Sequence, residues 1–490
     1  MAQERDLPEV VARVVDPQPV RLKVVADSTT VPGRPARVLV EAQNEVGASA
    51  TGSLSPVDII LAGPEGQTSA GRLQLHGGVG HLELAIDEPG VYRVNAMVGE
   101  QMRAASDPLQ VTDPDGPTLL WGDIHAHIRE RRAQALISDA DRLMGPPTVD
   151  DAYRFARDVA GLHFAAITDH DLKLTGIEWE QTIASADAFT EDGRFVAFPG
   201  YEWGDSSGMA MNYGHRHVVY RSGERAPLLR CCEQPTHTSP GLWGALREAV
   251  PAEDVLVVPH HTARGGGQTW ENWDYFDPEL QRVCEVYSIW GSSEKPGEPY
   301  PIRYLASGGY FGTGEAAGHH LQDGLARGYR FGFIGGSETH DGRPGRSLLH
   351  GHYVIAEQDF LWPPGVAAVW ADDFTRDGVF DALRARRCYA TTGARIIIRF
   401  WLGDAPMGSE VDWPDASRPR LLRAQVIGTA PVSSCVVVKN NADIFEARSA
   451  GETLSFEHED TTPAAPGDFY YLRITQADGQ MAWVSPIFIN

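Results

Sequence analysis

Short apolar runs divide the chain into three regions of different periodicity. From Val20 to about Val111, runs such as VRLKVVAD, ARVLVEAQN and GVYRVNAMV alternate apolar with polar positions. Turn residues separate these runs at roughly ten-residue spacing, which is typical of a small antiparallel β-sandwich. We therefore predict an N-terminal extension over residues 1–19 and a β-sandwich module over residues 20–112. The turn-rich segment TDPDGP that follows predicts a linker.

The middle of the chain, from Thr118 to about Gly393, alternates apolar runs with helical stretches. The clearest helix begins at Thr148, a good N-cap residue, and runs through AYRFARDVA to Gly161. Alternation of strands with helices predicts an α/β domain built on a parallel sheet, either closed as a barrel or open and doubly wound. We assign this domain to residues 118–393.

After about Arg395 the pattern returns to short alternating runs, including RIIIRFWLG, SSCVVVKN and FYYLRITQ. This pattern predicts a second β-sandwich module over residues 395–490. Neither β-module shows an obvious site, so we expect the chemistry to lie in the middle domain.

Six apolar runs in the middle domain end on histidine or carboxylate residues. Because the carboxyl ends of barrel strands share one rim, six such endings in order favour a TIM-like barrel with an active site there. Histidine and carboxylate are also metal ligands. The endings, in chain order, are His125 with His127, Asp169 with His170, Glu202, His260 with His261, Glu285, and Glu338 with His340.

Composition and charge narrow the possible partners. Of the 490 residues, 42% are hydrophobic, which is ample for a large core. The net charge of −24 argues against nucleic acid, because a surface that binds a polyanion needs clustered lysine and arginine. No run approaches the ~20 apolar residues of a membrane helix, and the N-terminus lacks a signal-peptide core. We expect a cytoplasmic protein with a small-molecule substrate and no membrane partner, and leave a homo-oligomer open.

The five cysteines predict neither a disulfide framework nor a structural zinc ribbon. Their number is odd, and no C-x-x-C pair is present. They are Cys231, Cys232, Cys284, Cys388 and Cys435.

The first ending, WGDIHAH, places His125 and His127 two residues apart. Side chains at this spacing share one face of an extended strand, so both imidazoles can reach one metal ion. Asp123 could orient an imidazole from behind, as carboxylates often do for ligating histidines. A satisfied pair of histidines without metal is the alternative reading.

Glu202 lies between aromatic residues in YEW, where an unpaired ionised carboxylate is costly to bury. A glutamate that bridges two metal ions would remove that cost, and a salt bridge to an arginine is the alternative. Glu285, in VCEVYS, poses the same problem and admits the same answers. Asp169 and His170, in TDH, are a further candidate pair, with Asp169 in a catalytic role; a turn with a helix cap is the alternative.

The last two endings complete the predicted ligands. Of the adjacent pair in PHH, we choose His260 as the ligand and leave His261 for packing, substrate contact or catalysis. Glu338 and His340, in SETHDG, repeat the spacing of the first pair.

Other residues near these motifs are candidates for substrate contact. Arg129 and Arg131 could grip a phosphate or carboxylate, although solvated arginines explain them equally. His215, in GHRH, could donate a proton or be structural. Arg264 begins a glycine-rich loop suited to close over substrate, and Trp270 beyond it could stack on a ring.

Taken together, GDIHAH, TDH, GYEW, PHH, EVYS and SETH resemble the motifs of the PHP (polymerase and histidinol phosphatase) superfamily, in its DUF3604 branch. The resemblance runs from about Leu119 to Gly393 and includes the helix DDAYRFARDVAGL and the late segment RRCYATTG. It implies a distorted (β/α)7 barrel and a cluster of two or three divalent metals that activates water, most often for phosphate-ester hydrolysis.

The resemblance also implies a ligand set. His125, His127 and Glu338 would hold a first ion, and Glu202 would bridge to a second. His260 and Glu285 would complete that second ion, while His170 and His340 would hold a third. This chain departs from the family pattern at Glu338, where aspartate is usual. It also departs after the first pair, where IRERRAQAL displaces the S-D element and makes Asp139 the candidate ligand.

We therefore predict a metal-dependent hydrolase that uses zinc, manganese or iron ions to activate water. By resemblance, the substrate is a phosphoester of a small molecule. A carboxylic ester, lactone or amide is the alternative, since the same cluster can polarise a carbonyl. A non-catalytic metal-binding scaffold is the second alternative.

Overall fold

The structure, a computed structural model, describes residues 7–100, 102–112, 116–128, 148–204, 213–265, 269–306, 310–350, 353–354 and 361–490. Over these residues the chain is a mixed α/β protein that is rich in sheet and has few helices. Across the same residues, no helix combines the length and the apolar character needed to cross a membrane. The helices are α1 (Leu7–Val14), α2 (Val149–Asp158), α3 (Gly176–Phe189), α4 (Ser239–Ala249), α5 (Leu321–Ala326) and α6 (Arg376–Arg384).

Helix α2 begins as predicted from its sequence. The Thr148 side chain accepts a hydrogen bond from the backbone N–H of Asp151, which satisfies one of the free donors of the first turn. The helix ends at Asp158, three residues before the glycine predicted to stop it.

The N-terminal strands form two sheets around one apolar core. One sheet has the order β1-β3-β6, and the other has the order β2-β9-β7-β4-β5 with β8 beside β7. Val40, Ile59 and Val94 are among the residues buried in this core. The strands are β1 (Arg21–Ala26), β2 (Thr29–Thr30), β3 (Ala36–Gln43), β4 (Val57–Gly63), β5 (Gly66–Leu73), β6 (Val79–Leu84), β7 (Gly90–Val98), β8 (Met102–Ala105) and β9 (Leu109–Val111).

The middle region supplies most of a large central sheet. Strands β10, β11 and β12 pair in parallel, whereas β13 runs antiparallel between β12 and β14. A separate small sheet holds β15 parallel to β19, with β16 beside β15. The strands are β10 (Thr118–Asp123), β11 (Phe164–Ile167), β12 (Val196–Trp203), β13 (Arg216–Tyr220), β14 (Val255–Pro259), β15 (Val283–Ser288), β16 (Gly291–Ser292), β17 (Arg303–Ala306), β18 (Tyr310–Thr313), β19 (Gly332–Gly335), β20 (Leu349–His350), β21 (Tyr353–Val354), β22 (Val366–Ala371) and β23 (Cys388–Thr391).

The C-terminal strands both extend the central sheet and form a second one. Strand β23 pairs with β32, so the central sheet continues through β32, β31, β28 and β29. Four other strands form a sheet of order β25-β24-β27-β30. The strands are β24 (Ile397–Leu402), β25 (Ala405–Pro406), β26 (Glu410–Val411), β27 (Arg420–Ile427), β28 (Val432–Lys439), β29 (Ala442–Ala447), β30 (Thr453–Asp460), β31 (Phe469–Gln476), β32 (Met481–Val484) and β33 (Ile487–Ile489).

The described strands do not close into a barrel through hydrogen bonds, so the predicted (β/α)7 barrel is not confirmed. Strands β22 and β23 follow β10 in antiparallel order and lead the sheet onward into the C-terminal strands. The sheet therefore crosses the boundary predicted near residue 394. The division into modules remains a prediction.

Polar contacts join the N-terminal sheets to the middle region. The Trp121 indole donates a hydrogen bond to Ser28, and the backbone N–H of Leu119 donates to Thr29. Arg346 forms a buried ion pair with Glu41 of β3. Because Arg346 lies in the loop after Glu338 and His340, the N-terminal sheet supports the segment that carries those two residues.

Candidate metal centre

The strand order brings the predicted histidines and glutamates to one buried region. Parallel strands β10, β11 and β12 end side by side, and an isolated bridge links His170 to Glu202. A second bridge links Ala126, between the first two histidines, to Thr339, between Glu338 and His340. Four groups of possible ligands have their nitrogen and oxygen atoms within 4.8 Å of one another: His125, Glu202, His217 and His260; His127, His170 and His340; His215, His260 and His261; and His125, Glu285 and Glu338.

Glu202 lies at the centre of this cluster and is almost fully buried. Its Oε1 atom is 2.6 Å from Nδ1 of His215, 3.2 Å from Nε2 of His260 and 3.4 Å from Nδ1 of His170. Its Oε2 atom is 3.2 Å from Nε2 of His127. The two carboxylate oxygens therefore face different histidines, as a bridging carboxylate would require.

His125 lies between three glutamates. Its Nδ1 atom is 2.8 Å from Oε2 of Glu285, and its Nε2 atom is 4.0 Å from Oε2 of Glu202 and 4.0 Å from Oε1 of Glu338. The other oxygen of Glu338 accepts a hydrogen bond from Ser288 at 2.8 Å. The structure thus places Glu285 against His125, whereas the family resemblance paired it with His260.

His127, His170 and His340 form a separate group. The ring of His127 stacks on His170 with centroids 5.0 Å apart and on His340 with centroids 4.7 Å apart. The sequence predicted His170 and His340 together, and the structure brings them together. It adds His127, which the resemblance had assigned to a different ion along with His125.

His217 belongs to the cluster but was not predicted as a site residue. Arg216, in the segment GHRH, begins strand β13, which pairs antiparallel with β12. This register sets His217 opposite Glu202. The two-residue spacing of His215 and His217 repeats that of His125 and His127, and this signal could have identified the residue.

His215 and His261, predicted as catalytic, also lie in the cluster. Both are buried, and Nε2 of His261 is 3.6 Å from Oε1 of Glu338. His261 and Glu338 have φ values of 35° and 48°, in the left-handed region that residues with a Cβ rarely adopt. Such backbone conformations cost about 1–3 kcal/mol each and are concentrated at functional sites.

The nitrogens of these histidines fit a cluster of metal ions. Neutral imidazole nitrogens and carboxylate oxygens suit zinc, manganese and iron, and buried polar atoms without a partner are rare in native proteins. Within the part of the chain that the structure describes, the following buried ring atoms have no hydrogen-bond partner: His125 Nε2, both nitrogens of His127, His215 Nε2, both nitrogens of His217, both nitrogens of His260, and His261 Nδ1.

Burial sets the protonation of His125 and Glu285. Burial, followed by the neighbouring rings of His217 and His260, lowers the pKa of His125 well below its usual value, so the imidazole stays neutral. Burial and then the carboxylates of Glu338 and Asp123 raise the pKa of Glu285 well above its usual value. A bound cation reverses such a shift because it favours the charged carboxylate.

Among the residues that the structure describes, Asp123 hydrogen-bonds backbone N–H groups and a hydroxyl but no imidazole, contrary to our expectation. Its carboxylate accepts hydrogen bonds from the backbone N–H groups of His125 at 3.0 Å, Ser337 at 3.1 Å and Gly345 at 2.7 Å. The Ser337 hydroxyl donates to it as well. Asp123 therefore ties the segment after β10 to the segment after β19, and so fixes the backbones that carry His125 and Glu338.

Asp169, predicted as catalytic, contacts the backbone beside the cluster. It is buried, and its Oδ1 atom accepts a hydrogen bond from the backbone N–H of Ile128 at 2.8 Å. This bond holds the backbone at Ile128, directly after His127.

Of the residues predicted to contact substrate, the structure describes Arg264 and Trp270. The Arg264 guanidinium lies over the Trp290 ring, 4.1 Å from its centroid, and is attracted by Glu338 and Glu202. Trp270 packs on His319, with ring centroids 5.4 Å apart. Arg129, Arg131 and Asp139 lie outside the described residues.

Fold and site together define a β-rich α/β protein with a buried centre of histidine and glutamate. The profile of a family described as "Protein of unknown function (DUF3604)" matches residues 158–286 and 284–430. The chain belongs to this DUF3604 family, as the sequence motifs predicted.

Relatives with similar sequences are uncharacterised proteins of Chlamydia. One from Chlamydia trachomatis serovar D is 30% identical over 435 residues, and one from Chlamydia pneumoniae is 28% identical over 428 residues. Each alignment covers 83% of this chain and 63% of the relative. The chain thus spans less than two thirds of the length of these relatives.

A solved structure with some similarity is a two-domain protein from Bacteroides vulgatus, described as containing a predicted PHP-like metal-dependent phosphoesterase. It is 12% identical, with a TM-score of 0.36, and the match covers 77% of this chain and 97% of that chain. A similarity of this degree carries no argument about the function of this protein.

Proposed function

We propose that this protein is a metal-dependent hydrolase that uses a cluster of two or three divalent ions. The observation that carries the proposal is the convergence of eight buried or half-buried histidines on three glutamates, with many ring nitrogens left without partners among the described residues. A purely structural core would satisfy such atoms or replace them with apolar groups.

The residues divide naturally between the ions. Glu202 is proposed as the bridge, with His260 and either His215 or His217 on one side. The Nε2 atom of His125 lies 4.0 Å from the other oxygen of Glu202 and 4.0 Å from Glu338, so His125 and Glu338 would serve the other side. His127, His170 and His340 would hold a further ion. Zinc, manganese or iron held there would supply Lewis-acid activation of water and of the scissile bond.

A phosphoester is the proposed substrate, and Arg264 supports it. The side chain is part-buried, and its Nε atom is buried without a partner among the residues described. Stacking on Trp290 holds the guanidinium plane and leaves its edge for a ligand. A guanidinium edge matches the paired oxygens of phosphate, so Arg264 is suited to orient an anionic substrate beside the metal ions.

His261 is proposed to move the proton needed by the leaving group. Its ring lies among His215, His260 and Glu338, and its Nδ1 atom has no hydrogen-bond partner among the described residues. A neutral imidazole in this position can carry a proton between an attacking water and a departing alcohol.

Metal analysis followed by a substrate screen tests the proposal. Protein freed of metal and then dialysed against zinc, manganese or iron(II) is expected to bind at least two ions per chain. The loaded protein is then assayed on p-nitrophenyl phosphate, p-nitrophenyl acetate and a simple lactone. The exposed His81 offers a control, since His81→Ala should leave the metal content unchanged.

Two results would count against the proposal. Fewer than one ion per chain, after every metal has been offered, would refute the metal centre. Two bound ions with turnover of the acetate or lactone but not the phosphate would keep the hydrolase and replace the phosphoester with a carbonyl substrate.

A further inference from the structure

We propose that Glu285 is a positioning residue, which holds the Nδ1 edge of His125 so that Nε2 faces the metal ions. The inference rests on the proposed metal centre, and in it Glu285 hydrogen-bonds the ligand His125 and does not itself bind metal. The family resemblance had implied that Glu285 is itself a ligand.

The two edges of the His125 ring have different neighbours. Nδ1 lies 2.8 Å from Oε2 of Glu285, a hydrogen-bond distance. Nε2, on the opposite edge, lies 4.0 Å from oxygens of Glu202 and Glu338, and it has no hydrogen-bond partner among the described residues. Ligands about 2.0–2.2 Å from a tetrahedral ion lie roughly 3.3–3.6 Å from one another, so a small movement of the 4.0 Å pairs admits an ion, whereas 2.8 Å between Nδ1 and Glu285 is the length of a direct hydrogen bond.

Chemistry supports this division of the ring. An imidazole that binds metal through one nitrogen commonly donates its other N–H to a carboxylate, which fixes both the tautomer and the ring orientation. When Glu285 accepts the N–H of Nδ1, the lone pair of Nε2 is directed at the space between Glu202 and Glu338.

Strand geometry makes Glu285 a rigid support. The residue lies within β15, where it pairs with Ile334 of β19, and both Glu285 and His125 are essentially inaccessible to solvent. A side chain on a buried strand has few alternative rotamers and loses little further entropy when it holds a neighbour.

Gly336 provides the space in which the two side chains meet. A Cβ atom added at Gly336 would overlap Oε2 of Glu285 and lie 2.6 Å from Cβ of His125. Real contacts of this kind are essentially never so short, and neither neighbour can move away easily in a packed interior. The absence of a side chain at residue 336 therefore belongs to the same arrangement.

The test compares metal stoichiometry at saturating zinc with zinc affinity measured by competition against a chelator. Glu285→Gln keeps an oxygen that can accept the N–H, so it should retain full stoichiometry and an affinity within about threefold of wild type. Glu285→Leu removes the acceptor. Glu285→Leu should lower the zinc affinity by roughly 10–100-fold, the range for residues that hydrogen-bond a metal ligand. At saturating zinc the variant should still reach full stoichiometry.

Two further variants keep the test decisive. His125→Ala, which removes the ligand itself, should lose at least one ion even at saturating zinc. Glu285→Ala also removes the acceptor and introduces no larger side chain, so it should reproduce the affinity loss of Glu285→Leu. This variant replaces Glu285→Leu if the latter does not fold, as judged by thermal unfolding of the metal-free protein.

Each outcome separates this inference from the proposed function. If Glu285→Gln loses an ion at saturation, Glu285 is a ligand and the positioning role is wrong. If Glu285→Leu binds zinc like wild type, Glu285 has no part in the centre. If wild type takes up no zinc, manganese or iron, the metal centre fails and the positioning role fails with it.

Discussion

Two regions of this protein bury carboxylates, and they differ in the groups that contact the carboxylate oxygens. At the contact between β3 and the loop after Glu338, Glu41 is fully buried and faces Arg346 through both of its oxygens. Ser49 and Gln43 donate further hydrogen bonds to the same carboxylate, at 2.5 and 2.9 Å. Every oxygen of Glu41 therefore has a partner within the protein.

In the candidate metal centre, Glu202, Glu285 and Glu338 are buried to a similar degree. Imidazoles of His215 and His125 contact Glu202 and Glu285, whereas Glu338 accepts a hydrogen bond from Ser288 and lies 3.6 Å from His261. The Oε1 atom of Glu285 has no hydrogen-bond partner among the described residues. Burying an ionised carboxylate without a cation is costly, so the two regions differ in where the cation comes from. One region supplies an arginine, and the other is proposed to take metal ions from solution.

The largest effect should follow from removing the charge at the centre of the cluster. Glu202→Gln keeps the shape of the side chain but takes away the charge proposed to offset two cations. Turnover should fall by at least about 100-fold, more than the usual effect of residues that only hydrogen-bond a ligand, and at least one ion per chain should be lost. Elemental analysis and steady-state kinetics check this, with His81→Ala as the control. Near-normal activity in Glu202→Gln would make Glu202 a structural residue and remove the contrast with Glu41.

The second effect concerns the closed ion pair. Glu41→Leu leaves Arg346 buried without its partner and should lower the free energy of unfolding by about 3–5 kcal/mol. Urea denaturation measures the loss, and added metal should not restore it. Glu41→Leu combined with Arg346→Met removes both charges and should cost markedly less than the single change. Equal costs for the single and double variants would show that the pair is not coupled.

The third effect is a pH dependence at another contact of the N-terminal sheets. His163 accepts a hydrogen bond from the backbone N–H of Trp121 and donates one to Asp27. Burial, with Arg37 adding to it, lowers the pKa of His163 from 6.5 to about 4. Below about pH 6.5 the unfolded chain therefore binds a proton at His163, whereas the folded chain binds this proton only below about pH 4.

Stability due to His163 is thus fully present above pH 6.5 and is lost as the pH falls towards 4. The loss should reach about 3 kcal/mol at pH 4, from a shift of about two and a half pH units. Urea denaturation between pH 7 and pH 4, compared with His163→Gln, isolates this contribution from the histidines of the metal centre. Parallel curves for the two proteins would show that His163 does not cause the pH dependence.

The smallest effect tests the substrate. If the substrate is a phosphate monoester, Arg264→Ala should lower kcat/KM. The loss of transition-state stabilisation calculated from the two kcat/KM values should be about 1–3 kcal/mol, the range for a charged hydrogen bond. Arg264→Lys should recover only part of it, since an ammonium lacks the paired donors of a guanidinium. Arg448 is exposed and offers a matched control, Arg448→Ala. No change in kcat/KM for Arg264→Ala would favour a neutral substrate.

The sequence alone determined the parts of this protein that depend on local pattern. Apolar runs that end on histidine identified the residues around Glu202, because strand ends of a parallel sheet lie together whatever connects them. The N-cap at Thr148 could also be predicted, because a helix cap depends only on residues within one turn. The motifs also identified the family, which the DUF3604 match confirms.

Tertiary structure alone decided the rest, because it depends on which strands pair. Periodicity shows that a run forms a strand but not its partner or register. The spacing of His215 and His217 could mark His217 as a candidate, but only the pairing of β13 with β12 sets it opposite Glu202. The same applies to β23, whose pairing with β32 carries the sheet into the C-terminal strands and leaves the predicted barrel unclosed. Glu285 could be read as a buried carboxylate, but only the packing of β15 beside Gly336 shows that it faces Nδ1 of His125. Contacts between residues more than a hundred positions apart leave no trace in local sequence, since they arise when the folded sheets meet.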